Sequence, residues 1–340
     1  MGAIVVLVWP HAMPMAARAG TERRPQKPQF RASSDIVEVY ATATGRNGAG
    51  VTDLRGDEFE LFEDGKRRDI TVFSAAVQPL SVAIVLDHSG STNSEFAQVL
   101  QAAGAFVGRL FKEDRARVDT LAWDCVPFTG DRMTLVRALQ NPLPRDPGSP
   151  VWSATDRAIA ALGPEPGRRV ILLMSDGSDN QSDMLNQRVS SGRSPDQAAH
   201  GCVRADTTKL MRLSEVIDRA ERETVMVYAV AVPEGGVALG APSSGGDTWA
   251  SPVYPPPLLE RNAVSDLAKL ANRSGGSVQR LTSYSQLDAA LKKIADELHL
   301  QYLLGFVPSQ FDGKRHDITV RVKRAGVSVR AREAYIAQRR

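Results

Sequence analysis

One acidic and two hydroxyl side chains alternate directly after an apolar segment of the sequence. Leu80–Leu86 reads LSVAIVL, and the chain continues with Asp87, Ser89 and Ser91, with Gly90 between the two serines. Carboxylate and hydroxyl oxygens are hard ligands that suit Mg²⁺, Mn²⁺ or Ca²⁺ rather than zinc. The alternation therefore indicates a divalent-cation site at the end of a strand, or, alternatively, a turn whose hydroxyls cap the next helix.

A second apolar segment ends in the same kind of residues. Ile171–Met174 reads ILLM and is followed by Ser175, Asp176 and Gly177. Ligands bind at the carboxyl ends of the strands in an open α/β sheet. If the two segments are neighbouring strands, Asp176 and Asp87 meet at one edge, and two close carboxylates repel each other unless a cation or a proton intervenes. The two motifs together predict a metal site, and a plain turn at Asp176 is the alternative.

The elements that must position these residues follow an alternating pattern between residues 80 and 300. Short, continuously apolar strands alternate with amphipathic helices, which is typical of a parallel sheet covered by helices on both faces. We therefore predict an α/β domain at residues 80–300 with a doubly wound, mainly parallel, Rossmann-like sheet. The predicted strands are Leu80–Leu86, Val118–Trp123, Val170–Met174 and Val225–Val232, and the predicted helices are Phe96–Phe111, Met133–Leu139, Val151–Leu162, Leu210–Arg222, Asn262–Ala271 and Leu287–Leu298.

The segments on either side of this domain, residues 35–79 and 301–337, have the alternating pattern of antiparallel strands with one solvated face. The sequence DGKRRDITV at residues 64–72 recurs as DGKRHDITV at residues 312–320. Two hairpins that use the same turn residues would explain this echo. Our hypothesis is that the two flanks pack together as a β-sandwich-like domain, with the α/β domain inserted between them.

The N-terminal residues have the pattern of a secretory signal. Ala3–Trp9 is a short apolar run, and Ala17–Ala19 has the small-x-small form of a signal-peptidase site. The run is shorter than the roughly 20 apolar residues that span a bilayer. We predict a cleaved signal peptide at residues 1–19, a flexible lead-in at residues 20–34, and a periplasmic or secreted protein that is not inserted in a membrane. A disordered terminus is the alternative.

Charge and cysteine content restrict the partners and cofactors. The formal net charge of the chain is +3, and its basic residues are scattered, which does not favour a nucleic-acid partner. Cys125 and Cys202 are the two cysteines of the sequence, and neither lies in a CxxC motif, so a structural zinc site is not predicted. In an oxidising compartment they form either a disulfide or two free thiols.

The motifs and their flanks resemble a known family. Asp87-x-Ser89-x-Ser91 with the later Asp176-Gly177 resembles the metal-ion-dependent adhesion site of von Willebrand factor A (VWFA) domains. The segments VTDLRGDEFELFEDGKRRDITVF and QYLLGFVPS resemble the bacterial subgroup called VWFA-related, Acidobacterial type. The resemblance covers residues 35–337, and it implies that residues 80–300 are a VWFA domain.

The resemblance also implies a ligand set. A hydroxyl from a middle loop completes the site in this family, and Ser149 in DPGSPVWSATDRAIA best matches that position, with Ser153 or Thr155 as alternatives. The resemblance implies that Ser89 and Ser91 bind Mg²⁺ (or Mn²⁺ or Ca²⁺) directly and that Ser149 binds it directly or through water. Two carboxylates, Asp87 and Asp176, would hold the ion mainly through water. His88 is expected on the rim of the site.

The function implied is recognition rather than catalysis. The family uses the open position of the cation to bind an Asp or Glu carboxylate of a partner protein, so we expect an adhesion-type protein-binding module that is not an enzyme. One alternative is a metal-dependent hydrolase, but the sequence has no Gly-x-Ser-x-Gly motif and no P-loop. The other alternative is a structural subunit of an envelope complex with an empty site. Nothing in the sequence indicates the oligomeric state.

Overall fold

The computed structural model describes four stretches of the chain, residues 36–179, 201–206, 209–233 and 259–339. The signal peptide and the lead-in predicted at residues 1–34 lie outside the described residues.

Strands and α-helices alternate through the middle of the described chain, and its two ends contain strands without α-helices. The strands are β1 (Val37–Gly45), β2 (Phe59–Glu63), β3 (Lys66–Arg68), β4 (Val72–Ser74), β5 (Leu80–Leu86), β6 (Arg115–Thr120), β7 (Trp123–Thr129), β8 (Arg168–Ser175), β9 (Val203–Arg204), β10 (Val225–Ala231), β11 (Val278–Arg280), β12 (Tyr302–Phe306), β13 (Arg315–Val322), β14 (Val327–Arg330) and β15 (Ala334–Ile336). The helices are α1 (Phe96–Arg109), α2 (Arg132–Gln140), α3 (Val151–Leu162), α4 (Leu213–Glu223), α5 (Leu259–Ser274) and α6 (Leu287–His299).

The central sheet has seven strands in the order β11-β10-β8-β5-β6-β7-β9. The first five in this order are parallel to one another, whereas β7 and β9 are antiparallel to their neighbours. Helices α1, α2 and α6 pack on one face of the sheet, and α3, α4 and α5 pack on the other. The predicted α/β class with a mainly parallel, doubly wound sheet is confirmed.

Strand β5 shows why the apolar pattern is continuous. Val82, Ile84 and Leu86 face the core beneath α1 and α6, and Ala83 and Val85 face the core beneath α3 and α5. Successive side chains of a strand point to opposite faces, and here both faces are covered by helices. Every residue of β5 is therefore buried.

One predicted strand is wrong at its C-terminal end. The prediction Val118–Trp123 runs across a turn, because β6 ends at Thr120 and the antiparallel strand β7 begins at Trp123. The turn residues Leu121 and Ala122 are fully buried, so the apolar pattern continues through the turn without a break. The other predicted elements of this region agree in type and place, with ends that differ by up to one helical turn.

The strands before and after the α/β region pair with each other in two four-stranded sheets, β14-β1-β12-β4 and β15-β13-β2-β3. Strand β1 is antiparallel to both β12 and β14, and β2 is antiparallel to β13. The N-terminal Val39 and Leu61 share one apolar core with the C-terminal Tyr302, Leu304 and Phe306. The N-terminal strands thus complete their pairing only with strands that lie beyond residue 300.

The two copies of the sequence echo contact each other. The ring of His316 in the second copy lies with Nδ1 2.7 Å from Oδ2 of Asp64 in the first copy and Nε2 3.1 Å from Oδ1 of Asp312. Both copies turn at a glycine with positive φ, 76° at Gly65 and 76° at Gly313. After the turn the copies differ, since the second continues as the long strand β13, whereas the first is divided between β3 and β4 in different sheets.

Cys125 and Cys202 form a disulfide with an S–S distance of 2.12 Å, which confirms the first of the two alternatives for the cysteines. Cys125 lies in β7, and Cys202 directly precedes β9, which pairs with β7. The bridge links positions 77 residues apart in sequence. It therefore fastens Cys202 and the adjoining strand β9 to β7, at the edge of the central sheet.

Candidate functional site

The candidate site lies at the carboxyl edge of the central sheet, where β5 and β8 end side by side. Leu86 and Met174 are register partners in these parallel strands, and the amide of Asp87 donates to the carbonyl of Met174 at 2.9 Å. The loops that follow both strands must therefore begin at the same place. This is the convergence that the sequence predicts for Asp87 and Asp176.

Four of the five predicted ligand residues form a hydrogen-bonded cluster. Ser91 Oγ donates to Asp176 Oδ2 at 2.5 Å, and Ser89 Oγ lies 3.3 Å from Ser91 Oγ. The amide of Ser89 donates to Asp87 Oδ1 at 3.0 Å. Ser91 is half-buried, and the other three residues are buried. The cluster is thus a small set of oxygen atoms drawn from two loops.

The carboxylate of Asp87 is held by one donor from the loop after β5 and one from the end of β8. Its Oδ1 accepts from the Ser89 amide, and its Oδ2 accepts from Ser175 Oγ at 2.7 Å. Burial and the nearby charge of Asp176 raise the pKa of Asp87 to about 7. A buried acid whose charge is disfavoured by a neighbouring carboxylate marks a place where a cation would be stabilised.

Gly177 has a structural reason to follow Asp176. Its φ is +86°, in the left-handed region that disfavours other residues. A Cβ at this position would lie 2.8 Å from the carbonyl oxygen of Ala263 and 2.9 Å from a methyl carbon of Leu267 in α5. Glycine therefore lets the chain turn tightly against the helix, while its amide donates to Ser175 Oγ at 2.9 Å.

Ser149 is buried in the loop before α3, but it makes no hydrogen bond to the other four predicted ligands, all of which lie in the described part of the chain. The two alternative hydroxyls are engaged elsewhere. Ser153 Oγ donates to the carbonyl of Lys209 at 2.9 Å, and Thr155 Oγ1 donates to the carbonyl of Val151 at 2.8 Å. These two hydrogen bonds occupy the hydroxyls of Ser153 and Thr155, so Ser149 is retained as the candidate ligand of this loop.

His88 is buried instead of lying on the rim, so that expectation is wrong. Its ring stacks on Phe96 with the centroids 3.6 Å apart and the planes within 1°. Its Nδ1 lies 3.2 Å from the carbonyl oxygen of Pro144, to which only an N–H can donate. The ring of His88 is therefore packed against Phe96 and hydrogen-bonded to Pro144.

Three polar residues that the sequence analysis missed support the cluster. Thr92 Oγ1 donates to the carbonyl of Asp87 at 2.7 Å, and Ser175 donates to its carboxylate. Asp146 accepts from the amide of His88 at 2.9 Å, and burial raises the pKa of Asp146 to about 6. Thr92 and Ser175 directly adjoin the predicted ligands, whereas Asp146 has no local signal apart from its place in the DPGS stretch.

The donors at this edge are hydroxyls and two carboxylates. Within the described ranges, no group of three or more His, Cys, Asp or Glu side chains is arranged so that it could hold a metal ion. A site that could hold a cation here would therefore depend on neutral serine oxygens beside Asp87 and Asp176. Oxygen donors of this kind fit Mg²⁺, Mn²⁺ or Ca²⁺.

Comparison with solved structures gives a related architecture. The chain is similar in fold to several solved structures. One such structure is the vWF domain of the type V pili tip protein Mfa5 from Porphyromonas gingivalis, with 15% identity, 65% of this chain and 95% of that chain covered, and a TM-score of 0.42. Another is an aerotolerance-related membrane protein from Bacteroides fragilis NCTC 9343, with 16% identity, 64% and 98% covered, and a TM-score of 0.41.

A third similar structure is proximal thread matrix protein 1 from the mussel byssus, with 14% identity, 70% of this chain and 51% of that chain covered, and a TM-score of 0.44. No protein-family model and no curated protein matches the chain. At these levels of similarity, the fold of this chain rests on its own strand order and not on its neighbours.

Proposed function

We propose that this protein is an extracytoplasmic binding module of the adhesion type. It engages an acidic group of a protein ligand through a divalent cation held by Asp87, Ser89, Ser91, Ser149 and Asp176. The observation that carries the proposal is the 2.5 Å contact between Ser91 and Asp176, because it joins the two loops whose oxygens would have to share one ion.

The hydrogen bonds within the cluster support different roles for its members. Ser89 and Ser91 present neighbouring hydroxyls and would bind the cation directly. Both carboxylate oxygens of Asp87 already accept hydrogen bonds from the protein, which suits a role through water. Asp176 would act in the same way, and Ser149 would bind directly or through water. Mg²⁺ retains several waters in protein sites, and Mn²⁺ and Ca²⁺ also take oxygen ligands.

The same ligand set supports recognition of a carboxylate. A cation with few direct charged ligands keeps its electrophilic character and a water that a ligand can replace. An Asp or Glu of a partner protein would supply the missing negative charge. A hydrolase would need a base beside the cation, and the imidazole of His88 is stacked on Phe96 and bonded to Pro144, so it does not serve.

The location and the subgroup are also part of the proposal. The Cys125–Cys202 disulfide supports an oxidising, extracytoplasmic compartment. In the stretches that the structure describes, each helix is too short or too polar to cross a lipid bilayer. The flanking sequences support membership of the bacterial VWFA-related, Acidobacterial-type subgroup.

Calorimetric titration of Mg²⁺ and Mn²⁺ tests the function. We expect wild type to bind, Asp87→Ala to lose binding, and Ser91→Ala to bind at least about tenfold more weakly. Ser328→Ala, on the distant strand β14, is the control with unchanged affinity. Wild type that binds neither ion would favour a structural subunit with an empty site.

A pull-down with and without chelator, compared with Asp87→Ala, then identifies the partner. Capture of an acidic protein ligand that is lost in both the chelated sample and the variant is expected. Metal-dependent turnover of generic esters or phosphates would contradict the proposal in favour of a hydrolase.

A further inference from the structure

Asp146 is a buried acid that accepts four hydrogen bonds. Its Oδ1 accepts from Thr120 Oγ1 at 2.6 Å and from the amide of Ala122 at 2.8 Å. Its Oδ2 accepts from the amide of His88 at 2.9 Å and from the amide of Leu121 at 3.2 Å. No direct metal-ligand role is assigned to Asp146 above, and its side chain is turned towards these four donors.

The four donors come from two strand ends, and the acid comes from a third segment. The peptide of His88 lies between Asp87 and Ser89 in the loop after β5. The other donors are Thr120, the last residue of β6, and Leu121 and Ala122 in the turn that follows it. Strand β6 is the parallel neighbour of β5. Asp146 itself lies between α2 and α3, on the loop that carries Ser149. One carboxylate therefore joins three loops at the carboxyl edge of the sheet.

Asp146 and the loop after β5 are connected by hydrogen bonds in both directions. The amide of Asp146 donates to the carbonyl of His88 at 2.9 Å, so both polar groups of the His88 residue backbone bind Asp146. The indole of Trp123 donates to the carbonyl of Arg145 at 3.0 Å, and the carbonyl of Pro144 accepts from the His88 ring. The segment 144–146 is thus held on two sides, and two residues separate it from Ser149.

The chemistry of the site requires an acid at this position. An ionised carboxylate is acceptor-only and has room for four donors on its two oxygens. An amide of the same shape would place its NH₂ against two of these donors and leave them unpaired, and unpaired buried polar groups are costly. The substitution Asp146→Asn would therefore keep the shape of the side chain but lose the hydrogen bonds to two of the four donors.

We propose that Asp146 is the positioning residue of the site: it fixes the loop of Ser149 against the peptide between Asp87 and Ser89, so that the third loop reaches the same cation. This inference rests on the proposed function, since it assigns a role toward the cation that the site would hold. Asp146 acts through Ser149 and does not touch the ion.

A matched pair of variants tests this role. Asp146→Asn is compared with Asp114→Asn, because Asp114 is also buried and also accepts backbone N–H groups, from Leu80 at 2.9 Å and from Phe111 at 2.6 Å. Asp114 holds the amino end of β5, opposite the site. We expect both variants to lower the melting temperature, but only Asp146→Asn to weaken Mn²⁺ binding, by at least about tenfold in calorimetry.

A double-mutant cycle with Ser149→Ala separates positioning from general destabilisation. In wild type, Ser149→Ala should weaken Mn²⁺ binding, whereas in the Asp146→Asn background it should add little further loss, because the loop is already released. Metal-free hydrogen exchange should be faster at the amides of His88, Leu121 and Ala122 in Asp146→Asn. Should Asp146→Asn fail to fold, Thr120→Val removes a single bond and should weaken binding by a smaller factor in the same cycle.

Three results would overturn the inference. The first is wild-type affinity for Mn²⁺ in Asp146→Asn, or in Thr120→Val if Asp146→Asn does not fold. The second is an equal loss of affinity in Asp114→Asn, and the third is independent effects of Asp146 and Ser149 in the cycle. Failure of the proposed function looks different, because wild type itself would then bind no Mn²⁺. That outcome would overturn both claims.

Discussion

Ser91 Oγ donates to Asp176 Oδ2 at 2.5 Å, although the two residues are 85 positions apart in sequence. The contact follows from the parallel pairing of β5 with β8, which places the ends of both strands together. Asp87 lies beside it, buried near a second carboxylate without a cationic side chain among its own hydrogen-bond partners. The arrangement has consequences for stability that depend on whether a cation is present.

Removing the charge of Asp87 should have opposite effects with and without metal. In the metal-free protein, Asp87→Asn relieves a buried charge near Asp176, and we expect the free energy of unfolding at pH 8 to rise by about 1 kcal/mol. In excess Mg²⁺ wild type should gain stability by mass action, and the variant should gain none. Thermal unfolding in EDTA and in Mg²⁺ measures both. A loss of stability of Asp87→Asn in EDTA would contradict this account. We expect such a loss for the comparison variant Asp114→Asn.

The contact between the two sequence echoes should make stability pH-dependent. Burial alone would lower the pKa of His316, but its hydrogen bonds to Asp64 and Asp312 outweigh burial and raise the pKa. The folded protein then holds the proton more tightly than the unfolded chain, where the pKa of histidine is about 6.5. The stabilisation is complete below about pH 6.5 and is lost as the pH rises through the higher folded-state value.

Urea unfolding from about pH 5.5 to 8.5 in wild type and His316→Gln measures this contribution. The difference in unfolding free energy between the two should shrink as the pH rises. His316→Arg introduces the residue found at the matching position of the first echo, Arg68, and stays charged throughout this range. Equal pH profiles for wild type and His316→Gln would show that the imidazole does not bind its proton as inferred.

Reduction of the disulfide should destabilise the folded protein. The bridge closes a loop across a sequence separation of 77 residues, and cross-links of this size restrict the unfolded chain by roughly 3–5 kcal/mol. Cys125→Ser with Cys202→Ser should therefore unfold at lower urea concentration than oxidised wild type and match wild type in reductant. Coincident unfolding curves in all conditions would mean that the bridge contributes nothing.

The flanking sheets predict coupled unfolding of the two ends of the chain. A truncation after Val307 removes β13 and β14, the partners of β2 and of the second half of β1. We expect the amides of Phe59–Glu63 to lose their protection in hydrogen exchange. A shorter truncation after Ala337, which leaves all strands in place, is the control. Retained protection of β2 in the longer truncation would contradict this dependence.

Local pattern was sufficient for much of the fold. The continuous apolar segments Leu80–Leu86 and Val170–Met174 are buried strands, because helices cover both faces of the sheet. The acids that follow them, Asp87 and Asp176, meet because parallel neighbouring strands end at one edge. The pattern failed at Leu121 and Ala122, where a buried turn carries the same residue types as a strand.

Residue types and spacing by themselves determined the α/β class, the two strand ends and the oxygen chemistry of the candidate site, since these depend on periodicity over a few residues. The tertiary structure alone decided that His88 turns inward onto Phe96, and that Asp146 joins three loops. It also decided that nearly identical echoes fold differently. The physical reason is that such groups are placed by hydrogen-bond partners and packing contacts from distant parts of the chain, which no local sequence pattern encodes.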